Sequence, residues 1–498
     1  MKGQKLLTVL IFAFFVFSGC VSNPVHMTNK KGDVYYEIFV RSFNDSNGDG
    51  YGDLNGVTEK LDYLDDLGVS GIWLMPINPS PSYHKYDVKN YFDVDPRYGT
   101  LEDLKNLIVK AKEKNISIML DLVINHTSKT HPWFKEFAHE LTSGNHEKYY
   151  DYYVYSDTFK QGYTKLVGTK YFYNSMFSPN MPELNLDNSE VVAEIKNILK
   201  FYIDLGIGGF RLDATYHYFE KKTSENVALL KDLKDYANSL NSEVIMVGEA
   251  WSSRNEYIQY FNAGISTFDF NLAGPTGELA TCIKTDNAKR FANLVSNYNN
   301  SVKDIEKTAV NSVFLSNHDM ARAKGFFAFP QDLKNAYSLL LLSPARPYLY
   351  YGDELEMRGS GRDENKRLAF NWDNKNNTTR LKDADYDEYG QVSLKEVKKD
   401  KNSVYNHIKD IIAMRNNYDV FTNNVKTEVI KLQEELFNVV IYGETQKIMV
   451  AVNIADECLD FEVENFTKVA HKLGKSSSSL TENKLSVSLE PGSVVILE

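Results

Sequence analysis

Four short apolar runs in this sequence end in charged or polar side chains whose types could do chemistry. In chain order these are Asp121 with Asn125 and His126, Arg211 with Asp213, Glu249, and His318 with Asp319. Charged groups are rarely placed where a buried strand ends unless they are paired or functional. An ordinary strand-terminating residue or half of an ion pair would explain any one of them, but it explains all four ends poorly. We therefore expect these residues to share one site.

Three carboxylates beside an arginine suit chemistry at a glycosidic bond, which needs one ionised and one protonated carboxyl group near neutral pH. Arg211 lies two residues before Asp213, so both side chains point to one face of a strand and the arginine keeps the carboxylate charged. Glu249 has no basic neighbour in sequence, so burial should raise its pKa, as a proton donor requires. These positions predict Asp213 as nucleophile and Glu249 as acid/base. The other rim residues would bind sugar hydroxyls: Asp319, His318 and His126.

The segments that must position these residues alternate between apolar runs and amphipathic stretches, a pattern typical of a (β/α)8 TIM barrel. The predicted strands are Val34–Val40, Gly71–Pro76, Ser117–Ile124, Gly209–Leu212, Val244–Val247, Ile265–Phe268, Ser312–Leu315 and Tyr348–Tyr351. Thr100 and Asp103 predict a capping box at the start of one intervening helix. In such a barrel the catalytic groups lie at the carboxyl ends of the strands, which is where the polar residues fall.

Two regions depart from this alternation. Residues 127–190 form a connection far longer than the roughly 2–6 residues of an ordinary βα loop, and predict a subdomain inserted after strand 3. Residues 421–498 read as short strands with little helix, which predicts a C-terminal all-β sandwich domain in which Ser476–Ser479 form a loop. The barrel then takes residues 33–126 and 191–420. The predicted strands of the last domain are Thr427–Leu432, Phe437–Tyr442, Ile448–Asn453, Leu459–Val463 and Leu485–Leu489.

The N-terminus is typical of an export signal. Lys2 and Lys5 precede an apolar run that is too short to span a membrane, followed by Ser18-Gly19-Cys20. This ending resembles a bacterial lipobox, although the lipobox prefers leucine where Phe17 stands; plain secretion is the alternative. Residues 1–20 are thus predicted to be a lipoprotein signal peptide, with Cys20 acylated and residues 21–32 a tether. The protein would be exported and anchored to the membrane at the cell surface.

Composition narrows the class of protein further. The 498 residues carry a formal net charge of −11 with 43% hydrophobic residues, which indicates a globular chain and excludes a nucleic-acid partner. Three cysteines cannot form a disulfide framework, so Cys282 and Cys458 are predicted to be free, buried thiols. No Cys/His cluster or glycine-rich phosphate loop stands out, so neither zinc nor an organic cofactor is expected. We expect a monomer.

Four segments resemble the signature regions of the α-amylase family of retaining glycoside hydrolases: Asp121–His126, Gly209–His217, Val247–Trp251 and Phe314–Asp319. They occur in the family's order, and Gly71–Pro76, Tyr86-Asp87 and Tyr350–Glu354 fit as well. The resemblance covers essentially the whole mature chain and implies the three-part layout given above. It also implies a nucleophile, an acid/base and a transition-state stabiliser at Asp213, Glu249 and Asp319. The residues lining the subsite of the cleaved sugar would be Tyr86, His126, Arg211 and His318.

Three positions bear on substrate choice within that family. Tyr216 stands where many α-amylases have lysine. The sequence therefore does not decide whether this position contacts the substrate on the leaving-group side. Glu183 replaces the usual aspartate in a motif that helps to separate starch-cleaving from oligosaccharide-cleaving branches. Ala214, directly after the nucleophile, resembles the enzymes that act on α-1,4 bonds rather than α-1,6 bonds.

One loop predicts a calcium site. Asp45, Asn47, Asp49 and Asp53 supply oxygen ligands at positions 1, 3, 5 and 9, and Tyr51 supplies its carbonyl at position 7. Position 12 is glycine and the loop is predicted to follow a strand, so it is not an EF-hand but resembles a calcium loop of several α-amylase relatives. A solvated turn is the alternative. The resemblance also implies a second calcium, bound by Asn125 and the backbone of His217.

The leading functional hypothesis is an endo-acting α-amylase that hydrolyses α-1,4-glucosidic bonds of starch and maltodextrins. A glucanotransferase or maltogenic oligosaccharidase with the same chemistry is the runner-up. A surface glucan-binding protein with an inactive barrel is the alternative from another class. Asp213, Glu249 and Asp319 argue against it, because the non-catalytic relatives lose these residues.

Overall fold

A computed structural model describes residues 32–373, 379, 381, 384–385, 392–421 and 425–498. The predicted signal peptide, Cys20 and nearly all of the predicted tether lie outside these residues. Within the part of the chain that the structure describes, no helix combines the length and the apolar composition needed to cross a bilayer.

Eight parallel strands form the barrel, as the apolar runs predicted, in the spatial order β10-β11-β1-β2-β3-β7-β8-β9. Numbered along the chain, with β4 to β6 in the insertion, the strands are β1 Tyr35–Ile38, β2 Gly71–Leu74, β3 Ser117–Leu122, β4 Tyr155–Ser156, β5 Tyr163–Lys165, β6 Phe172–Asn174, β7 Gly209–Leu212, β8 Ile245–Gly248, β9 Ser266–Thr267, β10 Ser312–Phe314 and β11 Arg346–Tyr350. A single parallel bridge between Phe268 and Ser312 closes the sheet between β9 and β10. We call this junction the seam.

Aromatic side chains fill the barrel beside the seam. Phe268 lies 5.4 Å from Trp73 and 4.9 Å from Tyr348, measured between ring centroids. Phe270 lies 5.1 Å from Phe314, which extends the cluster toward the carboxyl ends of the strands. Since β9 has only two residues, this packing contributes much of what holds the two sides of the seam together.

Helices surround the barrel, apart from α5 (Pro132–Ser143), which lies in the insertion. They are α1 Val40–Phe43, α2 Leu54–Glu59, α3 Leu61–Leu67, α4 Leu101–Glu113, α5 Pro132–Ser143, α6 Ser189–Leu205, α7 Thr223–Leu240, α8 Arg254–Tyr257, α9 Glu278–Lys284, α10 Ala288–Ile305, α11 Pro330–Leu341, α12 Asp363–Lys366, α13 Leu394–Val397 and α14 Val404–Arg415. Short 3₁₀ turns occur at Thr215–His217, Ile258–Ala263, Ala323–Phe326 and Asp353–Leu355. The predicted capping box is confirmed, because Thr100 and Asp103 each accept a hydrogen bond from the other's backbone N–H at the start of α4.

The insertion after β3 contains α5 and a three-stranded antiparallel sheet in the order β4-β6-β5. It is joined to the barrel through a bridge between His126 and Glu183, and the Leu184 N–H donates to the Asn125 carbonyl at 3.0 Å. These contacts fix the insertion beside the carboxyl ends of the barrel strands.

The C-terminal region is an all-β sandwich of two sheets, in the orders β12-β13-β14-β19-β16 and β15-β18-β17. Its strands are β12 Lys426–Glu428, β13 Leu436–Tyr442, β14 Lys447–Asn453, β15 Leu459–Glu464, β16 Val469–Leu473, β17 Ser476–Thr481, β18 Lys484–Leu489 and β19 Val494–Leu497. Apolar residues of both sheets form one buried cluster between them, including Val440, Met449, Phe461 and Val487.

Three sequence predictions are wrong. The serine tract is not a loop, since Ser476–Ser479 belong to β17 and pair with β18 through the backbone, which needs no apolar side chain on an edge strand. The first predicted strand is too long, because Val40–Phe43 form α1, and the loop beginning at Asp45 follows that helix rather than a strand. Cys458 is exposed rather than buried, with its Sγ 3.1 Å from Ser488 Oγ; Cys282 is free and buried as predicted.

Candidate active site

A cavity of about 360 Å³ opens at the carboxyl ends of the barrel strands. Five of the residues that line it were predicted from the sequence to be catalytic or to bind substrate. Those predicted to be catalytic are Asp213, Glu249 and Asp319, and those predicted to bind substrate are Tyr86 and His126. The other lining residues are His84, Phe177, Met181, Ala214, Tyr216, His217, Trp251, Asp363 and Arg367. The predicted carboxylates from β7, β8 and the loop after β10 therefore meet in one place.

Arg211 lies beneath the cavity floor and joins the carboxylates. Its Nη1 donates to Asp213 Oδ1 at 2.7 Å and to Asp121 Oδ1 at 2.9 Å, while its Nη2 lies 2.8 Å from Glu249 Oε2. The arginine side chain is only 1% exposed, so these charge-assisted bonds form with little competition from water. One guanidinium thus fixes the predicted nucleophile and the predicted acid/base as neighbours.

Glu249 has a basic neighbour in space, though not in sequence. Burial raises the pKa of Glu249 to about 7; the Arg211 guanidinium opposes this shift, and the carboxylate of Asp213 adds to it. The Ala214 N–H donates to Glu249 Oε2 at 2.9 Å, from a residue whose φ of 50° lies in the left-handed region that side chains rarely adopt. This turn after Asp213 places a backbone donor against the carboxyl group of Glu249.

His318 also lies below the cavity rather than on its wall. Its Nδ1 is 2.5 Å from Glu37 Oε1, and its Nε2 is 3.1 Å from Asp319 Oδ2 and 2.7 Å from the Tyr86 hydroxyl. Burial favours the neutral imidazole, but the carboxylates of Asp319 and Glu37 outweigh it and raise the pKa of His318 to about 9. A charged imidazolium therefore supports Asp319 from below.

Asp319 stays ionised because cations surround it. Burial opposes its charge, but His318 and Arg367 together hold the pKa of Asp319 well below its usual value. Arg367 Nη2 donates to Asp319 Oδ1 at 3.1 Å, and Lys366 donates to the Asp319 carbonyl at 2.9 Å. The cavity therefore presents Glu249, which keeps its proton up to about pH 7, beside Asp319, which stays ionised.

Tyr86 stands on a loop that an internal ion pair holds in place. Its hydroxyl donates to Asp121 Oδ2 at 2.9 Å, and its ring stacks on the His318 imidazole with centroids 5.6 Å apart. The preceding residue, Lys85, adopts a φ of 71°, is 1% exposed and places its Nζ 2.5 Å from Asp95 Oδ2. A buried ion pair of this kind fixes the loop backbone and hence the position of the Tyr86 ring.

Sequence reasoning missed two residues that position the site. Glu37 lies in the middle of an apolar run. A charged residue between Tyr36 and Ile38 was the one sign in the sequence that this position differs from its neighbours. Arg367 follows α12, outside any strand end, and no motif marked it. Both act across long sequence distances, which a reading of strand ends cannot detect.

Aromatic rings form the remaining walls of the cavity. Trp251 is 51% exposed and stacks on Phe270, with ring centroids 4.5 Å apart and planes at 14°. Tyr216, which replaces a common lysine, donates its hydroxyl to Glu256 Oε1 at 3.2 Å. Phe177 reaches in from the insertion, 5.4 Å from the His126 ring. These apolar surfaces suit the C–H faces of sugar rings.

The predicted calcium loop forms a compact turn between α1 and α2. Asp45 accepts hydrogen bonds from the Gly48 and Gly50 N–H groups, each at 2.7 Å, and Asp49 Oδ1 accepts from the Tyr51 N–H at 2.8 Å. Asp53 caps α2 by accepting from the Gly56 N–H at 2.7 Å. Among the residues that the structure describes, no three His, Cys, Asp or Glu side chains cluster as a metal site. The donor set of this loop is nevertheless all oxygen, which suits Ca²⁺.

A second set of oxygens lies where the insertion meets the barrel. Asn174 Nδ2 donates to Glu183 Oε2 at 2.6 Å, while Glu183 Oε1 and Asn174 Oδ1 are buried without a hydrogen-bond partner. The backbone of Asn125 is bonded to the residue after Glu183. Buried oxygens of this kind suit a cation, and the Glu183 carboxyl group lies where the insertion meets Asn125. The participation of His217 stays a prediction.

Comparison with known proteins gives one consistent family. The family model described as "Alpha amylase, catalytic domain" matches residues 37–424. "Alpha-amylase 3" of Dictyoglomus thermophilum is 37% identical over 514 aligned positions, covering 100% of this chain and 98% of that protein. "Oligo-1,6-glucosidase" of Heyndrickxia coagulans is 26% identical, and the alignment covers 87% of this chain and 93% of that protein.

A solved structure agrees with the sequence comparison. That of Eubacterium rectale Amy13B superposes with a TM-score of 0.87 at 33% identity, covering 94% of this chain and 96% of that one. The similarity therefore extends over both the barrel and the C-terminal sandwich.

Proposed function

Because this chain belongs to the α-amylase family of glycoside hydrolases, we propose that it is an endo-acting α-amylase that cleaves α-1,4-glucosidic bonds of starch and maltodextrins with retention. The observation that carries this proposal is the single Arg211 guanidinium that binds both Asp213 and Glu249 at the wall of the cavity. Retaining glycosidases need two carboxyl groups this close together, in opposite protonation states.

The proposed reaction has two displacements. Asp213 attacks the anomeric carbon while Glu249 gives its proton to the leaving oxygen, which forms a glycosyl-enzyme intermediate. Glu249 then removes a proton from water, which releases the sugar from Asp213. Asp319 stabilises the positive charge that develops on the sugar ring in both steps, because its own charge is maintained by His318 and Arg367.

Three features support α-1,4-glucans as the substrate. Ala214 follows the nucleophile, as in relatives that cleave α-1,4 bonds, and its N–H is directed at Glu249. The whole-chain relative at 37% identity is named as an α-amylase, whereas the oligo-1,6-glucosidase is 26% identical. The exposed ring of Trp251, which lines the cavity, also gives a bound chain an apolar surface.

Digestion of soluble starch tests the proposal. We expect iodine staining to fall early while reducing ends rise slowly, because internal bonds are cut first. Proton NMR of the first products should show the α-anomer before mutarotation, as retention requires. Release of glucose alone from chain ends, or a β-anomeric product, would contradict the assignment.

Glycosyl transfer is the second candidate, because aromatic walls formed by Trp251, Tyr216 and Phe177 can hold an acceptor sugar in place of water. Incubation with maltotriose separates the two activities. A transferase or maltogenic oligosaccharidase would disproportionate maltotriose into longer chains with release of shorter sugars, whereas the proposed amylase would give shorter sugars alone.

Calcium is proposed as a structural ion at the loop containing Asp45, Asn47, Asp49 and Asp53, and at the oxygens of Asn125 and Glu183. Its role would be to neutralise these oxygens and hold the loop and the insertion against the barrel. Removing calcium with a chelator should lower the melting temperature, with a loss of about 2.7 kcal/mol if free calcium had stood at 100 times Kd.

Two variants assign the chelator effect to a site. Asp49→Ala should remove the part due to the loop, since it deletes an oxygen ligand from an exposed residue that bonds the Tyr51 N–H within the same loop. Glu183→Gln should remove the part due to the insertion. An unchanged melting temperature after chelation of the native chain would refute both calcium sites. Export and a lipid anchor at Cys20 stay predictions, since they concern residues 1–31.

A further inference from the structure

The insertion carries an unusual amount of exposed apolar surface. Among the described residues, eleven large hydrophobic side chains are exposed, and four of them lie within the short stretch from Phe159 to Phe177. Phe159 is 71% exposed and Val167 87%. Apolar side chains gathered on a surface in this way mark a binding site more often than scattered ones do.

Phe172 on the β5–β6 hairpin contacts two of its neighbours, and the exposed side chains of Val167, Met176 and Phe177 lie on the same segment of the chain. Lys165 pairs with Phe172 across the two strands, and its Nζ lies 4.4 Å above the Phe172 ring. The Phe159 ring is 5.7 Å from the Phe172 ring. We call this set the hairpin strip: Phe159, Lys165, Val167, Phe172, Met176 and Phe177.

The hairpin strip is continuous with the active site. Phe177 lines the catalytic cavity, where its ring lies 5.2 Å from the His217 ring. Met176 packs beside Gly162 at the start of β5, where a Cβ on the glycine would lie 3.8 Å from Met176 Cα. Five residue steps separate Phe172 from Phe177, at most about 18 Å of chain. The rest of the strip therefore lies within the reach of a few sugar units from the cavity wall at Phe177.

The chemistry of the strip suits a sugar polymer. Aromatic and aliphatic side chains pack against the C–H faces of pyranose rings, and ammonium groups donate to hydroxyls. Lys160, Lys165 and Lys170 are the charged residues between positions 158 and 182, where the sequence has no Asp or Glu although the chain as a whole carries −11. Carboxylates that would compete for the lysine donors are thus absent from this stretch.

We propose that the hairpin strip binds a stretch of α-glucan chain that extends out of the catalytic cavity, so that long substrates bind more tightly than short ones. This inference rests on the proposed function, because the occupant is the same polymer that the active site cleaves. An anionic membrane surface is the competing occupant, since the lysines and exposed Phe159 would also suit it.

Steady-state kinetics on amylose and on maltotriose test this proposal. In the Phe159→Ser/Val167→Ser variant, KM for amylose should rise about fivefold, as expected for the loss of one ring contact. Both side chains are exposed, so the fold and the kinetic constants for maltotriose should not change. Phe329→Ser is the matched control, because Phe329 is 69% exposed but precedes α11 on the barrel. The proposal would be overturned if the native chain and the double variant had equal KM values for amylose. It would also be overturned if KM for maltotriose rose by the same factor as KM for amylose.

A binding measurement keeps the test independent of turnover. In native gels containing amylopectin, an inactive Asp213→Asn chain should be retarded, and adding the two serine substitutions should reduce the retardation. If the native chain cleaves neither amylose nor maltotriose, the proposed function fails, whereas the gel still decides whether the strip binds glucan. If the two serine substitutions abolished binding to phosphatidylglycerol vesicles but left the retardation by amylopectin unchanged, the strip would bind a membrane surface and the glucan site would be overturned.

Discussion

Replacing Asp213 with asparagine should lower kcat on soluble starch by about 10⁴- to 10⁶-fold, the range seen when a nucleophile or its partner is removed from another hydrolase. The amide keeps the size of the carboxylate and can still accept the 2.7 Å bond from Arg211 Nη1. What is lost is the negative charge and the nucleophilic oxygen. Rate measurements should be accompanied by melting curves, which we expect to stay close to the native curve.

The matched control is Asp235→Asn. Asp235 is an exposed partner of Lys231 on α7 and does not line the cavity. An exposed ion pair of this kind contributes little to stability. Its kcat should equal that of the native chain. A kcat of Asp213→Asn within tenfold of native would remove Asp213 from the mechanism and, with it, the covalent intermediate.

The second large effect is expected at Glu249. The native kcat/KM on maltooligosaccharides should fall about tenfold per pH unit above about pH 7, because Glu249, with its pKa raised to about 7 by burial, loses the proton it must donate. The sign follows from the acid role: the protonated form exists below the pKa and disappears as pH rises. Glu249→Gln should abolish this alkaline decline and lower kcat by about 10²- to 10⁴-fold.

Leaving-group chemistry distinguishes loss of an acid from general damage. A maltosyl fluoride needs little proton donation to its leaving group, so the first displacement by Glu249→Gln should be impaired far less with it than with starch. Glu256→Gln, on the Tyr216 side of the cavity, is a control that keeps the acid. Equal impairment of Glu249→Gln on both substrates would contradict the acid role of Glu249.

The barrel was predictable because its strands are apolar runs bounded by polar residues. Each predicted run overlaps an observed strand, and the polar residues at the ends of β3, β7, β8 and β10 meet at one rim or directly below it. This success follows from parallel topology, which brings all carboxyl ends to the same side.

What escaped prediction depends on contacts between distant residues. Glu37 reaches His318 across 281 positions, and Arg367 reaches Asp319 from a segment without a motif. The basic neighbour of Glu249 is likewise contributed by another strand. The Ser476–Ser479 strand was missed because its residues are held by backbone pairing to β18 and contribute no apolar pattern.

The seam of the barrel has a consequence for how ligand and fold depend on each other. The sheet closes between β9 and β10 through one bridge, and the aromatic cluster beside that bridge includes Phe270. Trp251, at the cavity mouth, stacks on the same Phe270 ring. We therefore expect a sugar that packs on Trp251 to stabilise this ring cluster as well, so that occupancy of the cavity should also stabilise the closure of the barrel.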